Sequence, residues 1–187
     1  MKETLYVAGK LKSSDGLAVA IVGSRKMTAE GKKNAYKFSY FLAREGFTIV
    51  SGLARGIDTV AHKAALAAGG RTIAVLGSGI DIIYPPENAA LAAEIVKSGA
   101  LVSPFAMGVA PLPKNFLTRN KVVAELSQGV LVIEGKARSG TLSTASHAAN
   151  LGKDVFVILG SEATDWLAGE GAIVVEEPVD IIEYLKS

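Results

Sequence analysis

Short runs of apolar residues recur along the chain, and most are continuously apolar rather than alternating with polar residues. Strands that are buried on both faces of a parallel sheet have this pattern. Longer stretches of helical character separate the runs, as expected for right-handed βαβ units. The sequence therefore predicts an α/β sandwich with a mainly parallel sheet of about seven strands. The predicted strands are 17–22, 47–50, 72–76, 100–102, 130–133, 155–159 and 172–175, and the predicted helices lie near 28–45, 57–68, 87–97, 117–127, 141–151 and 178–185.

The bulk composition fits one domain with a large core. Of 187 residues, 49% are hydrophobic and 20% are charged, which is the opposite of the balance that disorder needs. No apolar run approaches the roughly 18 residues of a membrane-spanning helix, and the N-terminus lacks the apolar stretch of a signal peptide. We therefore expect a cytoplasmic protein with no membrane partner. The chain has no cysteine, which excludes disulfides and thiolate metal sites.

Charge is distributed unevenly along the chain. Residues 1–160 carry 19 basic and 11 acidic side chains, whereas residues 161–187 carry one basic and seven acidic side chains. A basic body suits a polyanionic ligand. The alternative is that these are scattered, solvated lysines.

Glycine-rich turns follow four of the predicted strands. They read "GSRK" at 23–26, "SGLARGID" at 51–58, "GSGID" at 77–81 and "EGKARSGTLST" at 134–144. Ligands of open parallel sheets bind beyond the carboxyl ends of the strands, where helix N-termini attract anions and arginine adds a fork for phosphate. A single turn of this kind is ordinary in any α/β fold, but four together predict a phosphate-binding edge. Its predicted residues are Gly23, Ser24, Arg25, Ser51, Gly52, Arg55, Arg138, Ser139, Gly140 and Thr141.

Signatures of cofactors and catalysis are absent from the sequence. Neither the G-x-G-x-x-G fingerprint nor a P-loop is present, which disfavours NAD binding and ATP hydrolysis. His62 and His147 lie in alanine-rich helical stretches, so we expect packed or surface residues and no metal site. Asp58 is predicted to orient its turn, with a role as general base as the alternative. We predict no cofactor and no catalytic residue.

The segment "PLPKNFLTRNK" at 111–121 is predicted to be a stiffened loop. Phe116 offers a flat face to a base, and Lys114, Arg119 and Lys121 offer charge to phosphates. Stacking in a cationic groove is how proteins hold single strands without reading their sequence. The alternative is that Phe116 packs on the following helix and the cations are solvated. Beside a phosphate-binding edge, the segment favours single-stranded nucleic acid as the ligand.

These stretches resemble a known family. "AIVGSRKMTAEG", "VSGLARGIDTVAHKAALAAGGRTIAVLGSGIDIIYPPEN", "NFLTRNKVVAELSQGVLVIEGKARSGTLSTA" and "GKDVFVILG" are similar to the Rossmann-like domain of the DNA-processing protein DprA, or Smf, family. The resemblance covers about residues 17–160 and continues more weakly to the C-terminus. It implies a Rossmann-like three-layer sandwich and a homodimer. It also implies binding of single-stranded DNA in natural transformation, with protection of incoming DNA and help in loading RecA.

The family's DNA-contacting residues carry over by motif. They correspond to Arg25, Gly52, Arg55, Phe116, Arg119, Asn120, Lys121, Ser139, Gly140 and Thr141. The chain departs from the family at Leu117, where the family has proline, and at Lys121, where the family has arginine. Lysine keeps the positive charge but cannot form the bidentate hydrogen bonds of a guanidinium. The family usually adds an N-terminal helical domain and often a C-terminal winged-helix-like domain. We expect residues 1–187 to form the single Rossmann-like domain, with neither addition.

Two other functions remain open. Related phosphoribohydrolases carry a "PGG.GT..E" motif with a catalytic glutamate, whereas Thr144 stands at that position here. A nucleotide-sensing module would bind a small phosphorylated ligand at the same edge. The length of nucleic acid needed for binding distinguishes such a sensor from a single-strand binder.

Overall fold

The computed structural model describes residues 4–137 and 139–186, which form one eight-stranded sheet covered by helices. The order of strands across the sheet is β1-β5-β4-β3-β2-β6-β7-β8. Every neighbouring pair is parallel except β1 on β5, which is antiparallel. The strands are β1 (Tyr6–Gly9), β2 (Ala18–Val22), β3 (Thr48–Ser51), β4 (Thr72–Val75), β5 (Ala100–Ser103), β6 (Gly129–Val132), β7 (Asp154–Val157) and β8 (Ile173–Val174).

Helices cover both faces of the sheet. They are α1 (Ala29–Arg44), α2 (Ile57–Ala67), α3 (Ala89–Ser98), α4 (Pro113–Glu125), α5 (Gly140–Asn150), α6 (Glu162–Gly169) and α7 (Pro178–Lys186), with 3-10 turns at Ser13–Gly16 and Pro86–Asn88. Val19 and Ile21 of β2 point into a core formed with α1, α2 and α7. Ala18, Ala20 and Val22 point to the opposite face, where α4 and α5 pack. The two-sided burial explains why the strands are continuously apolar, and it confirms the predicted Rossmann-like three-layer sandwich.

The sequence missed two elements and misplaced one. Strand β1 was missed because it is a half-exposed edge strand of four residues, and α6 was missed because it is one short helix in the acidic tail. The predicted loop at 111–121 was wrong from Pro113 onward, since α4 begins there, four residues earlier than predicted. Proline is well suited to the first helical turn, because its fixed φ matches the helix and its missing N–H would have no intrahelical partner.

Within residues 4–137 and 139–186, no helix is both long and apolar enough to cross a membrane.

Candidate nucleic-acid interface

A cavity of about 660 Å³ opens at the carboxyl ends of β2, β3 and β6. Its wall is formed by the turn after β2, the turn after β3, the first half of α4 and the start of α5. The structure therefore brings segments that are distant in sequence to one edge of the sheet, as the topology of an open parallel sheet requires. Of the residues predicted from the sequence, those that line the cavity are Gly23, Ser24, Arg25, Gly52, Phe116, Arg119, Asn120, Ser139, Gly140 and Thr141.

Carboxylates of the protein itself occupy the backbone donors beside two of the predicted turns. At the start of α1, Glu134 accepts hydrogen bonds from the backbone N–H (2.9 Å) and the hydroxyl (2.6 Å) of Thr28. In the turn after β3, Asp58 accepts from the N–H groups of Gly52 (3.2 Å) and Ala54 (3.3 Å). The prediction that Asp58 orients its turn is thus confirmed. Both sets of donors are already satisfied, so neither is the first place where a phosphate would bind.

The turn after β4 is bound to a neighbouring loop. Asp81 accepts hydrogen bonds from the N–H of Gly108 at 2.9 and 3.1 Å, and the N–H of Gly79 donates to the carbonyl of Val109 at 2.8 Å. The hydroxyl of Ser103 donates to the carbonyl of Ser78 at 2.6 Å. These contacts serve the internal structure and leave the turn outside the cavity lining.

The N-terminus of α5 lines the cavity without a side-chain cap. Ser139 is the N-cap, but its side chain makes no capping hydrogen bond, and its buried Oγ has no partner among the described residues. A Cβ atom added at Gly140 would meet only Asn120 Nδ2, at 3.7 Å, so no packing inside the protein requires glycine there. Free N–H groups at a helix start attract anions, and an absent side chain lets a ligand approach the backbone.

Arg25 is the predicted cation best placed to meet a ligand. Its side chain is exposed, and its guanidinium carbon lies 5.2 Å from the centroid of the Phe116 ring. In the described part of the chain, no carboxylate forms an ion pair with it. Phe116 is half-buried. The guanidinium carbon of Arg119 lies 5.7 Å from the centroid of the Phe116 ring, and the centroid of the Tyr84 ring lies 5.9 Å from it. Phe116 thus packs among side chains of the protein itself, and its stacking on a base stays a prediction.

Arg119 is buried beneath the cavity and is only 5% exposed. Its Nη1 donates to the carbonyls of Val75 (2.9 Å) and Gly52, and its Nε donates to Asn120 Oδ1 (3.0 Å). A Cβ atom at Gly52 would collide with this guanidinium, which explains glycine at that position. Burial lowers the pKa of Arg119, and the charge of Asp58 opposes that shift. Arg119 therefore joins the ends of β3 and β4 to α4 through the two hydrogen bonds of its Nη1.

Other predicted residues lie outside the cavity lining. Arg55 forms an ion pair with Glu87, Lys121 lies 3.6 Å from Glu125, and Ser51 donates from its buried hydroxyl to the carbonyl of Ile21 at 2.7 Å. Lys114 is exposed at the start of α4. Arg138 lies outside the described residues.

Three polar or aromatic residues stand out among the lining residues that were not predicted from the sequence. They are Lys26, Tyr84 and Lys136. The two lysines lie within the "GSRK" and "EGKARSGTLST" turns, directly after predicted strands. Their positions in these turns could therefore have identified them as site residues. Tyr84 belongs to "IIYPP", which looks like a rigid corner, and only the fold places it against Phe116.

The histidines carry no sign of catalysis or metal binding. His62 is fully buried and contacts the Thr72 hydroxyl through Nδ1 at 2.7 Å. Burial, followed by the charge of Arg119, lowers the pKa of His62 to about 3 and keeps the ring neutral. His147 is half-buried on α5. Among residues 4–137 and 139–186, no group of three or more His, Cys, Asp or Glu side chains gathers as a metal site would require.

A sequence model described as DNA recombination-mediator protein A matches residues 2–186. The chain belongs to this family. It is 47% identical to Protein Smf of Escherichia coli (strain K12), in an alignment that covers 97% of this chain and 50% of that protein. It is 41% identical to DNA processing protein DprA of Streptococcus pneumoniae (strain ATCC BAA-255 / R6), over 95% of this chain and 65% of that protein. The predicted resemblance is confirmed.

Solved structures of the family have the same fold. DprA from Streptococcus pneumoniae superposes with a TM-score of 0.88 at 39% identity, covering 96% of this chain and 65% of that one. DNA processing protein A from Helicobacter pylori also gives 0.88, at 31% identity, covering 97% and 86%. A molybdenum cofactor binding protein from Rippkaea orientalis gives 0.66 at 22% identity, over 90% and 94%, a likeness of fold alone. The chain spans about 40 to 65% of the length of the first curated relatives it matches.

Proposed function

We propose that this chain binds single-stranded DNA in the cavity at the carboxyl edge of its sheet. The main support for the proposal is the position of Arg25, whose exposed guanidinium lies 5.2 Å from the centroid of the Phe116 ring. Both side chains line the cavity, as does the N-terminus of α5. Aromatic surface for bases beside cationic groups for phosphates is the combination that binds single strands without sequence readout.

The parts of the site have separate roles in this proposal. The start of α5 at Gly140 and Thr141 receives a phosphate through backbone N–H groups and the helix dipole. Arg25, with Lys26 and Lys136, neutralises phosphates and releases counterions. The ring system of Phe116 and Tyr84 supports a base, and the buried Arg119 ties α4, which carries Phe116, to the ends of β3 and β4.

A relative supports this ligand. The solved structure of the Helicobacter pylori protein is described as giving insights into its unique single-stranded DNA binding mode. That protein shares 31% of its residues with this chain and superposes with a TM-score of 0.88. The family's description as a recombination mediator fits the same class of ligand.

The wider role that we propose follows the family resemblance. It comprises a cytoplasmic location, cooperation with RecA and action in natural transformation. It also includes a homodimer, for which α1 and α7 offer an exposed apolar patch with Tyr36, Phe41 and Val179 around a recess of about 380 Å³. A change of one patch residue to a charged one, such as Val179→Glu, should convert the dimer to monomer in sedimentation equilibrium.

A second candidate function is favoured by the size of the cavity. A volume of about 660 Å³ falls within the range typical of small-ligand sites, so a mononucleotide would fit as a signalling ligand. The hydrolase alternative has less support, because Thr144 lines the cavity where the related enzymes have glutamate. That the chain is not an enzyme stays a prediction.

Fluorescence anisotropy with labelled oligo-dT tests the proposal. The strand should be offered at several lengths, beside duplex DNA and free AMP, over a salt series. We expect binding that strengthens with length and weakens with salt, at a slope near −0.7 per neutralised phosphate for a single strand. Saturation by AMP with no gain from longer strands would favour the sensor instead.

A further inference from the structure

A carboxylate engages Arg55, an arginine just outside the cavity lining. Arg55 donates from Nη2 to Glu87 Oε2 at 3.0 Å and from Nε to Glu87 Oε1. Both carboxylate oxygens are therefore held by the guanidinium fork. The two side chains are about half exposed, at 53% and 52%, so the pair is accessible from solvent.

This pair lies beside the proposed DNA site. Arg55 lines a small cleft together with Arg25, Tyr84 and Phe116, next to the main cavity. Two exposed arginines, Arg25 and Arg55, thus line the same cleft as the two aromatic rings. Arg25 has no carboxylate partner in the described part of the chain, whereas Arg55 has Glu87. A phosphodiester offers the same two charged oxygens to a guanidinium fork as a carboxylate does.

The contact between the two segments does not depend on this ion pair. Asn88, which follows Glu87 and is buried, donates from Nδ2 to the carbonyl of Leu53 and to the hydroxyl of Thr59, both at 2.9 Å. These hydrogen bonds already join the segment of Glu87 to the loop and helix that carry Arg55. Exposed ion pairs are weak and are easily exchanged for another partner. The Arg55 guanidinium can therefore change partner without loss of the loop contact.

We propose that Glu87 acts as a phosphate mimic in the free protein, where its carboxylate occupies the position on Arg55 that a phosphate of the strand takes in the complex. This inference rests on the proposed binding of single-stranded DNA. A strand whose first phosphate lies at α5 and Arg25 continues past Tyr84, and its next accessible phosphate displaces the carboxylate from Arg55. Glu87 thereby lowers the affinity for strands, while ligands with one phosphate do not reach it. Glu87 therefore affects how the affinity depends on the length of the strand, and not how it depends on the base sequence.

The test compares Glu87→Gln with Glu94→Gln. Glu94 lies in an exposed ion pair with Lys97 on α3, so its substitution removes the same charge away from the cavity lining. We expect Glu87→Gln to bind long oligo-dT about threefold to tenfold more tightly with an unchanged salt slope, because the strand contacts Arg55 in both proteins but no longer has to displace a carboxylate. Binding of AMP should not change, and Glu94→Gln should match the unmodified chain.

A double substitution assigns the effect to Arg55. Arg55→Gln should weaken binding of long strands, and adding Glu87→Gln to it should produce no further change. Thermal unfolding of each variant establishes that it is folded, and Glu87→Ala serves as a second variant without the carboxylate.

The outcomes separate this inference from the proposed function. If the unmodified chain binds oligo-dT while Glu87→Gln and Glu87→Ala bind equally or more weakly, the phosphate mimic is refuted and the DNA site stands. Equal tightening by Glu87→Gln and Glu94→Gln would refute it too, since overall charge would then explain the gain. No binding of oligo-dT by the unmodified chain would overturn both.

Discussion

The guanidinium of Arg25 and the ring of Phe116 lie 5.2 Å apart, and this contact joins the turn after β2 to the first half of α4. The cation is exposed and the ring is half-buried, so the pair presents charge and aromatic surface at one place. A nucleotide needs both, because its phosphate is anionic and its base is flat.

Arg25→Ala should weaken binding of oligo-dT and make the salt slope shallower by about 0.7, the contribution of one phosphate on a single strand. Arg44→Ala is the matched control, because Arg44 is an exposed arginine at the opposite end of α1. Anisotropy titrations over a salt series measure both slopes. An unchanged slope and affinity in Arg25→Ala would remove this residue from the site.

Gly140→Ala should fold normally and bind oligo-dT at least about tenfold less tightly, because the new methyl group stands where the ligand approaches the α5 backbone. The protein has room for it, since only Asn120 Nδ2 lies near, at 3.7 Å. Gly169→Ala is the control, a position with no atom within 4 Å of the added carbon. The same affinity in both variants would mean that the ligand does not contact the start of α5.

Arg119→Met should lower the free energy of unfolding by about 3 kcal/mol, because it leaves the buried Asp58 without its compensating charge. It also removes the donors to the carbonyls of Gly52 and Val75. Urea denaturation measures the loss. Under conditions where the variant is folded, its salt slope should equal that of the unmodified chain. A stable variant with a shallower slope would show instead that Arg119 contacts phosphate.

Stability should fall as the pH drops below 6.5. The folded pKa of His62 is about 3, below its ordinary value of 6.5, so between these limits the unfolded chain binds a proton that the folded chain does not. The slope from this residue is about 1.4 kcal/mol per pH unit. Burial raises the pKa of Asp58, whose contribution has the opposite sign and declines as the pH rises above 3.8.

Urea denaturation between pH 4 and 7 measures this dependence. His62→Gln should remove most of the slope, and the same substitution at the other histidine, His147 on α5, is the control. A slope that survives in His62→Gln would assign the pH dependence to other groups.

The strands and most helices could be predicted from the sequence because burial on both faces of the sheet leaves continuous apolar runs. Strand β1 could not, since four half-exposed residues carry no such signal. Helix α4 was placed too late because Pro113 has the same fixed φ in a stiff loop as in a first helical turn.

The sequence indicated which turns line the cavity, but it did not indicate the contacts that each side chain makes there. The motifs indicated the edge of the sheet at which the structure has its cavity, but the partners of each donor come from far along the chain. Glu134 satisfies Thr28 across 106 residues, and Arg119 reaches the carbonyl of Val75 across 44. No local pattern shows that Arg119 is buried or that Arg55 is paired with Glu87, because both depend on the packing of separate segments.

The most direct test of the central claim is an NMR titration of the isotope-labelled chain with oligo-dT. We expect the amide resonances of Ser24, Arg25, Gly140 and Thr141 to move together and to saturate with the strand, while those of Tyr36 and Val179 on the α1 and α7 patch do not move. Saturable shifts confined to another surface, with the Gly140 and Thr141 amides unmoved, would contradict it.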